Sequence, residues 1–247
     1  MNGDTGDRPE FDELPALDFG DDAISRRRTE RRAVDDDLPE FDFSFEDGDD
    51  AEGRRQPDAP SPDQPFNVIT VCTHNRTRSV MSMAMLQAGF DLRLGAGNVV
   101  VSSLGFGPAD ERAIPDAIAA MQRRDLDVVA HRSRKVTADR VRPADLILTS
   151  EVDHVVKIVS KTPDVFHRTF TLPEFVGLAA DAFADDGQSA REWIESLGRG
   201  RTATEYLGSS VPEVADPTGS SARNFEAATV GIEQLCEGVV ASVCRHL

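Results

Sequence analysis

A run of β-branched and apolar residues at 66–71 leads directly into a polar loop that begins with Cys72 and ends at Ser79. Such a run favours a β-strand, and the apolar residues over 80–92 recur at helical spacing. A strand, a polar loop and a helix in this order begin an α/β unit. We therefore expect a parallel sheet with this loop at the carboxyl edge of its first strand, where open α/β folds bind their ligands.

Strand and helix patterns alternate along the rest of the chain. Further strands are predicted at 98–103, 144–149 and 168–172, and further helices at 114–123, 152–159 and 222–246. The polar stretch 179–206 is expected to add one or two surface helices. Because such alternation is typical of parallel sheets that are covered on both faces, the sequence predicts an α/β domain over 66–247. We expect a four-stranded parallel sheet with helices on both faces.

Residues 1–65 differ sharply from this domain in charge. They hold 21 acidic residues against 8 arginines, which gives −13 of the chain's net charge of −17. High charge, few apolar residues and a proline-rich end predict a disordered acidic tail. The pattern Leu-Pro-x-apolar-Asp-Phe occurs twice in it, at 14–19 and 38–43. The repeat is either chance in a low-complexity tail or a pair of docking motifs for a protein partner.

The composition also narrows the class of protein. Acidity argues against binding to nucleic acid or to anionic membranes, since both need a basic face. No apolar run approaches the roughly 20 residues that span a bilayer, and no secretory leader is apparent. The cysteines are too few for a disulfide framework: Cys72, Cys236 and Cys244. We expect a cytoplasmic protein, and the dispersed histidines show no metal-ligand spacing.

The spacing of Cys72 and Arg78 is typical of a loop that wraps an anion around a nucleophile. Backbone N–H groups of such a loop can form an anion nest, and the positive end of the next helix points at the same place. Both effects favour the thiolate, which is the reactive form of cysteine. Arg78 can return over the loop and hold two phosphoryl oxygens with its planar fork. The alternative is a buried structural cysteine with a solvated arginine.

The other loop residues are expected to bind the substrate. They are Thr73, His74, Asn75, Arg76, Thr77 and Ser79. Ser79 can donate a hydrogen bond to the Cys72 sulfur, and Asn75 tolerates the left-handed backbone that a tight loop needs. Phosphoryl transfer from an oxygen leaving group also needs a proton donor. The candidate is Asp216, in an Asp-Pro pair before the final helix, although by itself this pair reads only as a turn.

These residues resemble the low molecular weight protein tyrosine phosphatase family. The loop of that family reads Cys-x-Gly-Asn-x-Cys-Arg-Ser-Pro, and its general acid lies in an Asp-Pro pair before the last helix. The positions that match here are Cys72, Asn75, Arg78, Ser79, Asp216 and Pro217. The resemblance covers about 66–176 and 211–247. It implies a phosphocysteine on Cys72, with Asp216 as the acid that protonates the leaving phenol and then as the base that activates water. It implies no metal or organic cofactor.

Three departures from the family pattern keep other functions open. His74 replaces the loop glycine, Thr77 replaces the second loop cysteine, and Thr218 stands where many members have an aromatic residue. Thiol-dependent arsenate reductases share the fold, and many of them read Cys-x-His-Asn-x-x-Arg-Ser. A second alternative is a phosphate- or phosphopeptide-binding module without turnover. The first expectation is hydrolysis of phosphotyrosine or another aryl phosphate.

Overall fold

The computed structural model of the protein describes residues 64–182, 187–202, 206 and 210–247. Four strands lie within these ranges: β1 (Phe66–Cys72), β2 (Val99–Gly105), β3 (Leu146–Thr149) and β4 (Thr169–Thr171). They form one sheet in the order β2-β1-β3-β4, and every neighbouring pair is parallel. The predicted four-stranded parallel sheet is therefore confirmed. The predicted tail and its repeat lie outside the described residues.

Helices connect and cover the strands. The described residues include α1 (Arg78–Leu94), α2 (Pro115–Gln122), α3 (Ala138–Val141), α4 (Val152–Val159), α5 (Leu172–Asp181), α6 (Ala190–Arg199) and α7 (Ala222–Val243). A 3-10 helix, Pro163–Arg168, precedes β4. Helix α5 was not predicted separately, although Thr171 and Glu174 form a capping box at its start. None of the helices in the described ranges has the length and apolar character needed to cross a membrane.

Alternating residues of β1 supply two apolar layers, one on each face of the sheet. Val68 packs into the larger core with α1, α5, α6 and α7, whereas Ile69 packs into a smaller core with α3 and α4. Helix α6 falls in the stretch that was expected to lie on the surface. Its Trp193 is buried against Phe175 and stacks on His246 at 4.2 Å between ring centroids. Helices cover both faces of the sheet, as predicted.

The register of the strands brings the polar loops together. Cys72 at the end of β1 pairs with Gly105 at the end of β2, and Val71 pairs with Thr149 at the end of β3. Because the strands are parallel, their carboxyl ends meet at one edge of the sheet. The loops that follow β1, β2 and β3 therefore share this edge.

Candidate active site

Neighbouring segments hold the loop after β1 by its carbonyl groups. The backbone N–H groups of Phe106 and Gly107 donate to the Thr73 carbonyl at 2.7 and 2.8 Å. The Asn75 carbonyl lies 2.8 Å from Nε2 of His131, which donates to it. These contacts come from two separate segments of the chain. They fix the carbonyl side of the loop against the rest of the domain.

The amide side of the same loop is left open. The backbone N–H groups of residues 73–80 donate to no protein acceptor in the described part of the chain. The last of them belong to the first turn of α1, whose N–H groups lack helical acceptors in any helix. Consecutive unpaired amides next to a helix N-terminus bind anions. We refer to residues 72–79 as the phosphate-binding loop, because phosphate is the anion that we propose for these amides.

Asn75 fixes the shape of this loop. Its backbone is in the left-handed region, with φ of 55°, and its side chain is fully buried. Its Nδ2 donates to Ser79 Oγ at 3.0 Å, and its Oδ1 accepts from the backbone N–H of Arg134 at 2.9 Å. A Cβ atom at Gly105 would lie 2.6 Å from the Asn75 nitrogen, so the end of β2 must be glycine. The left-handed geometry expected at Asn75 is present.

Cys72 lies at the base of the loop and is only 3% exposed. Its Sγ is 3.0 Å from Ser79 Oγ. Because Ser79 Oγ already accepts from the Asn75 amide, its own O–H is available to donate to the sulfur. A hydrogen bond of this direction stabilises a thiolate. The predicted contact between Ser79 and Cys72 is therefore present.

Arg78 joins the loop to two acidic side chains. It is 2% exposed, and its Nη2 donates to Asp216 Oδ2 at 2.9 Å. Its Nη1 is 2.5 Å from Glu151 Oε1 and donates to the Val214 carbonyl at 2.9 Å. A buried guanidinium is stable only when it is paired in this way. The structure thus brings Arg78 and Asp216 together, although 138 residues separate them in sequence.

Glu151 was not predicted from the sequence as a site residue. It lies two residues after the end of β3, at the edge of the sheet where β1 ends in Cys72. Its neighbour His154 is buried, stacks on Phe106 and contacts Thr73 Oγ1 through Nε2 at 3.1 Å. Burial lowers the pKa of His154 to about 4, so this imidazole is neutral at pH 7. An acidic residue just after a buried strand of a parallel sheet was the available signal for Glu151.

Asp216 is the most accessible member of the group, with a side chain that is 45% exposed. Its Oδ1 accepts from the backbone N–H of Thr218 at 3.0 Å. Burial by itself raises the pKa of this carboxyl. The hydrogen bonds from Thr218 and the positive charge of Arg78 outweigh that effect and bring the pKa below its ordinary value. Asp216 is therefore ionised at neutral pH while it is paired with Arg78.

The remaining loop residues contact the segments around the loop. His74 is exposed and packs on the backbone of Gly107, where a Cβ atom would come within 2.9 Å of its ring. Thr77 Oγ1 is 3.3 Å from Thr218 Oγ1, which links the loop to the Asp216 segment. Arg76 turns outward, and its Nη1 pairs with Glu111 at 3.2 Å.

The other two cysteines lack the setting of a reactive thiol. Cys236 is 2% exposed, and its Sγ lies 3.8 Å from the Ser82 carbonyl. Burial raises the pKa of the Cys236 thiol and also that of Cys244. A raised pKa disfavours the thiolate that redox exchange requires. Within the described ranges, no three His, Cys, Asp or Glu side chains are grouped so that they could hold a metal ion.

Comparisons with known proteins agree with this geometry. The sequence model of the low molecular weight phosphotyrosine protein phosphatase family matches residues 67–186. A protein-arginine-phosphatase of Geobacillus stearothermophilus is 29% identical over 141 residues, which are 54% of this chain and 91% of that protein. The Etp low molecular weight protein-tyrosine-phosphatase of Escherichia coli is 27% identical over 149 residues, 54% of this chain and 97% of Etp.

The same fold occurs in the solved structure of the YwlE arginine phosphatase from Geobacillus stearothermophilus. It superposes with a TM-score of 0.55 at 23% identity and covers 73% of this chain and 94% of that one. The sheet, the family match at residues 67–186 and both curated relatives lead to one assignment. Residues 67–186 thus match the family of low molecular weight phosphotyrosine protein phosphatases.

Proposed function

We propose that this protein hydrolyses phosphotyrosine or another aryl phosphate through a phosphocysteine on Cys72. One observation carries the proposal. The Cys72 sulfur lies in a loop whose N–H groups have no described protein acceptor, and Arg78 connects that loop to Asp216. Nucleophile, oxyanion-binding groups and a proton donor are the parts that phosphoryl transfer needs.

In the first step, the Cys72 thiolate attacks the phosphorus atom. An S–P bond forms, the P–O bond to the aryl group breaks, and the electron pair leaves on the aryl oxygen. Asp216 gives its proton to that oxygen, so that the neutral phenol departs. The guanidinium of Arg78 binds two phosphoryl oxygens, and the open N–H groups of 73–80 stabilise the charge of the transferring group.

Binding of the substrate also prepares Asp216 for this role. In the free protein, its pair with Arg78 helps to hold the pKa of the carboxyl below its ordinary value. A phosphate dianion competes for Arg78 and brings negative charge close to Asp216. Both changes favour the protonated carboxyl. The proton donor is thus expected to form when the substrate is bound.

In the second step, water attacks the phosphocysteine. Asp216, now a carboxylate, takes a proton from the water molecule, and the S–P bond breaks to release inorganic phosphate. The electron pair returns to the sulfur as the thiolate. The Ser79 hydroxyl, 3.0 Å from that sulfur, stabilises the departing thiolate by donating to it. Every step uses only side chains and backbone N–H groups of this chain and one water molecule.

A phosphoarginine side chain is the second candidate substrate. Thr218 and Gly219, which follow the Asp216-Pro217 pair, are exposed and not aromatic, so this segment offers no ring to stack on a phenol. The 29% identical relative is a protein-arginine-phosphatase. The same machinery serves this reaction, because the leaving guanidine nitrogen also needs a proton. Arsenate reduction is less favoured, since Cys236 is buried and Cys244 has a raised pKa.

One panel of substrates tests the proposal. Purified full-length protein is assayed with p-nitrophenyl phosphate, a phosphotyrosine peptide, a phosphoarginine peptide and arsenate plus a thiol donor. The Cys72→Ser variant is assayed in parallel. We expect release of phosphate from the aryl ester and from one of the two peptides, and no turnover by the variant. Arsenate reduction without phosphate release would overturn the proposal, and tight phosphopeptide binding without any turnover would favour a binding module.

A further inference from the structure

A group of basic side chains borders the phosphate-binding loop. We define the basic rim as Arg76, Arg112, Arg132, Arg134 and Lys135. Apart from Arg76 in the loop itself, these residues come from segments 106–114 and 131–135, which hold only two acidic residues. A surplus of positive charge at this place contrasts with the net charge of −17 for the whole chain.

Hydrogen bonds attach both segments of the basic rim directly to the loop. The backbone N–H of Arg134 donates to Asn75 Oδ1 at 2.9 Å, and Arg76 Nε donates to the Arg112 carbonyl at 2.8 Å. Lys135 forms a parallel bridge with Gly105, whose backbone packs against Asn75. The backbone positions of these cations are therefore fixed by the same contacts that shape the phosphate-binding loop.

Three of these cations have no partner among the described residues. Arg76 pairs with Glu111, and Arg132 lies 3.7 Å from Asp110. By contrast, Arg112, Arg134 and Lys135 are exposed, and their side chains make no hydrogen bond or ion pair within the described ranges. The backbone of each of these residues is held in place, and its charged group is exposed and unpaired. Such cations are available to an acidic ligand.

We propose that the basic rim binds acidic residues that flank the phosphorylated side chain of a protein substrate. The inference rests on the proposed function, because it takes the phosphorylated side chain to occupy the phosphate-binding loop. A peptide that extends from the loop over segments 106–114 and 131–135 places its neighbouring residues beside Arg112, Arg134 and Lys135. Acidic neighbours are attracted there, and basic neighbours are repelled, so the rim selects by both effects.

The size of the effect follows from the exposure of these side chains. An exposed ion pair changes affinity by about 1.5- to 5-fold. Reversing two cations at once should therefore lower kcat/KM for an acidic peptide by about tenfold. Salt at 1 M shortens the screening length to about 3 Å and should remove most of the difference.

The experiment compares three phosphotyrosine peptides that differ only in their flanks, which are glutamate, glutamine or lysine. The full-length protein is compared with a double variant, Arg112→Glu with Arg134→Glu. A matched double variant, Arg93→Glu with Arg245→Glu, makes the same change of net charge far from the site. Arg93 is in the last turn of α1, about 22 Å along the helix from Arg78, and Arg245 follows the end of α7.

We expect the unmodified protein to prefer the glutamate peptide to the lysine peptide by at least about tenfold in kcat/KM. The rim variant should lose this preference but keep its rate on p-nitrophenyl phosphate, which has no flanks. The matched variant should keep both the preference for the glutamate peptide and the rate on p-nitrophenyl phosphate. Equal kcat/KM for all three peptides would overturn the proposal, and so would an equal loss of the preference in the matched variant. In either case, turnover of p-nitrophenyl phosphate would leave the proposed function standing.

Binding gives a readout that does not depend on turnover. The Kd of each peptide is measured with full-length Cys72→Ala protein, with and without the two rim substitutions. Tighter binding of the glutamate peptide that is lost in the rim variant supports the inference even for a protein that hydrolyses none of the peptides. The same Kd for glutamate and lysine peptides contradicts it.

Discussion

The phosphate-binding loop and the segment that carries Asp216 meet at Arg78, but the domain holds them in different ways. The loop is largely buried, and two segments, 106–114 and 131–135, bind its carbonyls and the side chain of Asn75. The segment 211–221 is exposed at most positions. Its main anchor is Val214, which donates to the Ser150 carbonyl at 2.8 Å.

This difference matches two different chemical tasks. Groups that stabilise charge in a transition state act best when they are fixed beforehand, because no reorganisation is then needed during the reaction. A proton donor must instead gain and lose a proton in each cycle, which requires a change of surroundings. Asp216 has such surroundings, since its side chain is half exposed and its partner Arg78 is also the proposed phosphate ligand. The rigid part and the adjustable part of the site are thus separate in sequence.

Arg78→Lys should have the largest effect on the fixed part of the site. Lysine keeps the positive charge but cannot bind two phosphoryl oxygens in one plane. We expect kcat/KM for p-nitrophenyl phosphate to fall by about 10³–10⁵, the range for a phosphate-binding arginine. Arg76→Lys is the matched control, because Arg76 turns away from the loop toward Glu111. Similar losses for both variants would contradict the role given to Arg78.

Asp216→Ala tests the adjustable part. Without a proton donor, kcat should fall by about 10²–10⁴ for a phosphate ester with a poor leaving group. The loss should be much smaller for p-nitrophenyl phosphate, whose phenolate leaves without a proton. An equal loss for both esters would remove Asp216 as the general acid.

The pH dependence of the rate is a second test of Asp216 as the general acid. Arg78 and Thr218 help to keep the pKa of Asp216 below its ordinary value in the free protein. The acid must be protonated to act, so its activity is lost as the pH rises through that pKa. In a single-turnover assay at saturating substrate, where the phosphate dianion favours the protonated form, this loss should occur at higher pH. Asp216→Ala should abolish this limb of the profile.

Asn75→Ala tests whether the phosphate-binding loop contributes more to the stability of the domain than the Asp216 segment does. Alanine in the left-handed region costs about 1–2 kcal/mol, and loss of the buried contacts to Ser79 and Arg134 costs about 1–3 kcal/mol. We expect the free energy of unfolding to fall by about 2–4 kcal/mol, measured by urea denaturation. Asn75→Gly avoids the backbone cost but still loses the side-chain contacts. Its free energy of unfolding should therefore lie between those of Asn75→Ala and the unmodified protein.

Asp216→Ala is the comparison for this stability measurement. Asp216 is 45% exposed, and Arg78 retains its contacts to Glu151 and the Val214 carbonyl. The free energy of unfolding should therefore change by less than about 1 kcal/mol. A larger loss than in Asn75→Ala would show that the Asp216 segment, and not the loop, is the rigid part.

The same comparison explains what could be predicted from the sequence. Strand β1, the loop and helix α1 are contiguous, so a strand pattern, a polar loop and helical spacing are enough to place Cys72 and Arg78 together. The capping box of α5, at Thr171 and Glu174, was not recognised as a helix start. The buried face of α6 was missed because the prediction treated 179–206 as polar surface. Trp193 and Ile194 form that buried face.

The rest of the site depends on contacts between distant segments. Asp216 was identified only through the Asp-Pro pair and the family resemblance. Glu151 was missed because its contact with Arg78 exists only after β1 and β3 pair side by side. Spacing along the chain carries no information on such a contact. His131 is a similar case, since its bond to the Asn75 carbonyl spans 56 residues.

The central claim is that Cys72 forms a covalent bond to the phosphoryl group, and rapid quenching followed by mass spectrometry tests it most directly. Asp216→Ala protein is mixed with p-nitrophenyl phosphate, because loss of the base for hydrolysis should make the intermediate accumulate. The peptide that contains Cys72 should gain the mass of one phosphoryl group, and the corresponding peptide of a Cys72→Ala, Asp216→Ala double variant should gain none. Steady phosphate release with no modified Cys72 at any time would contradict the mechanism.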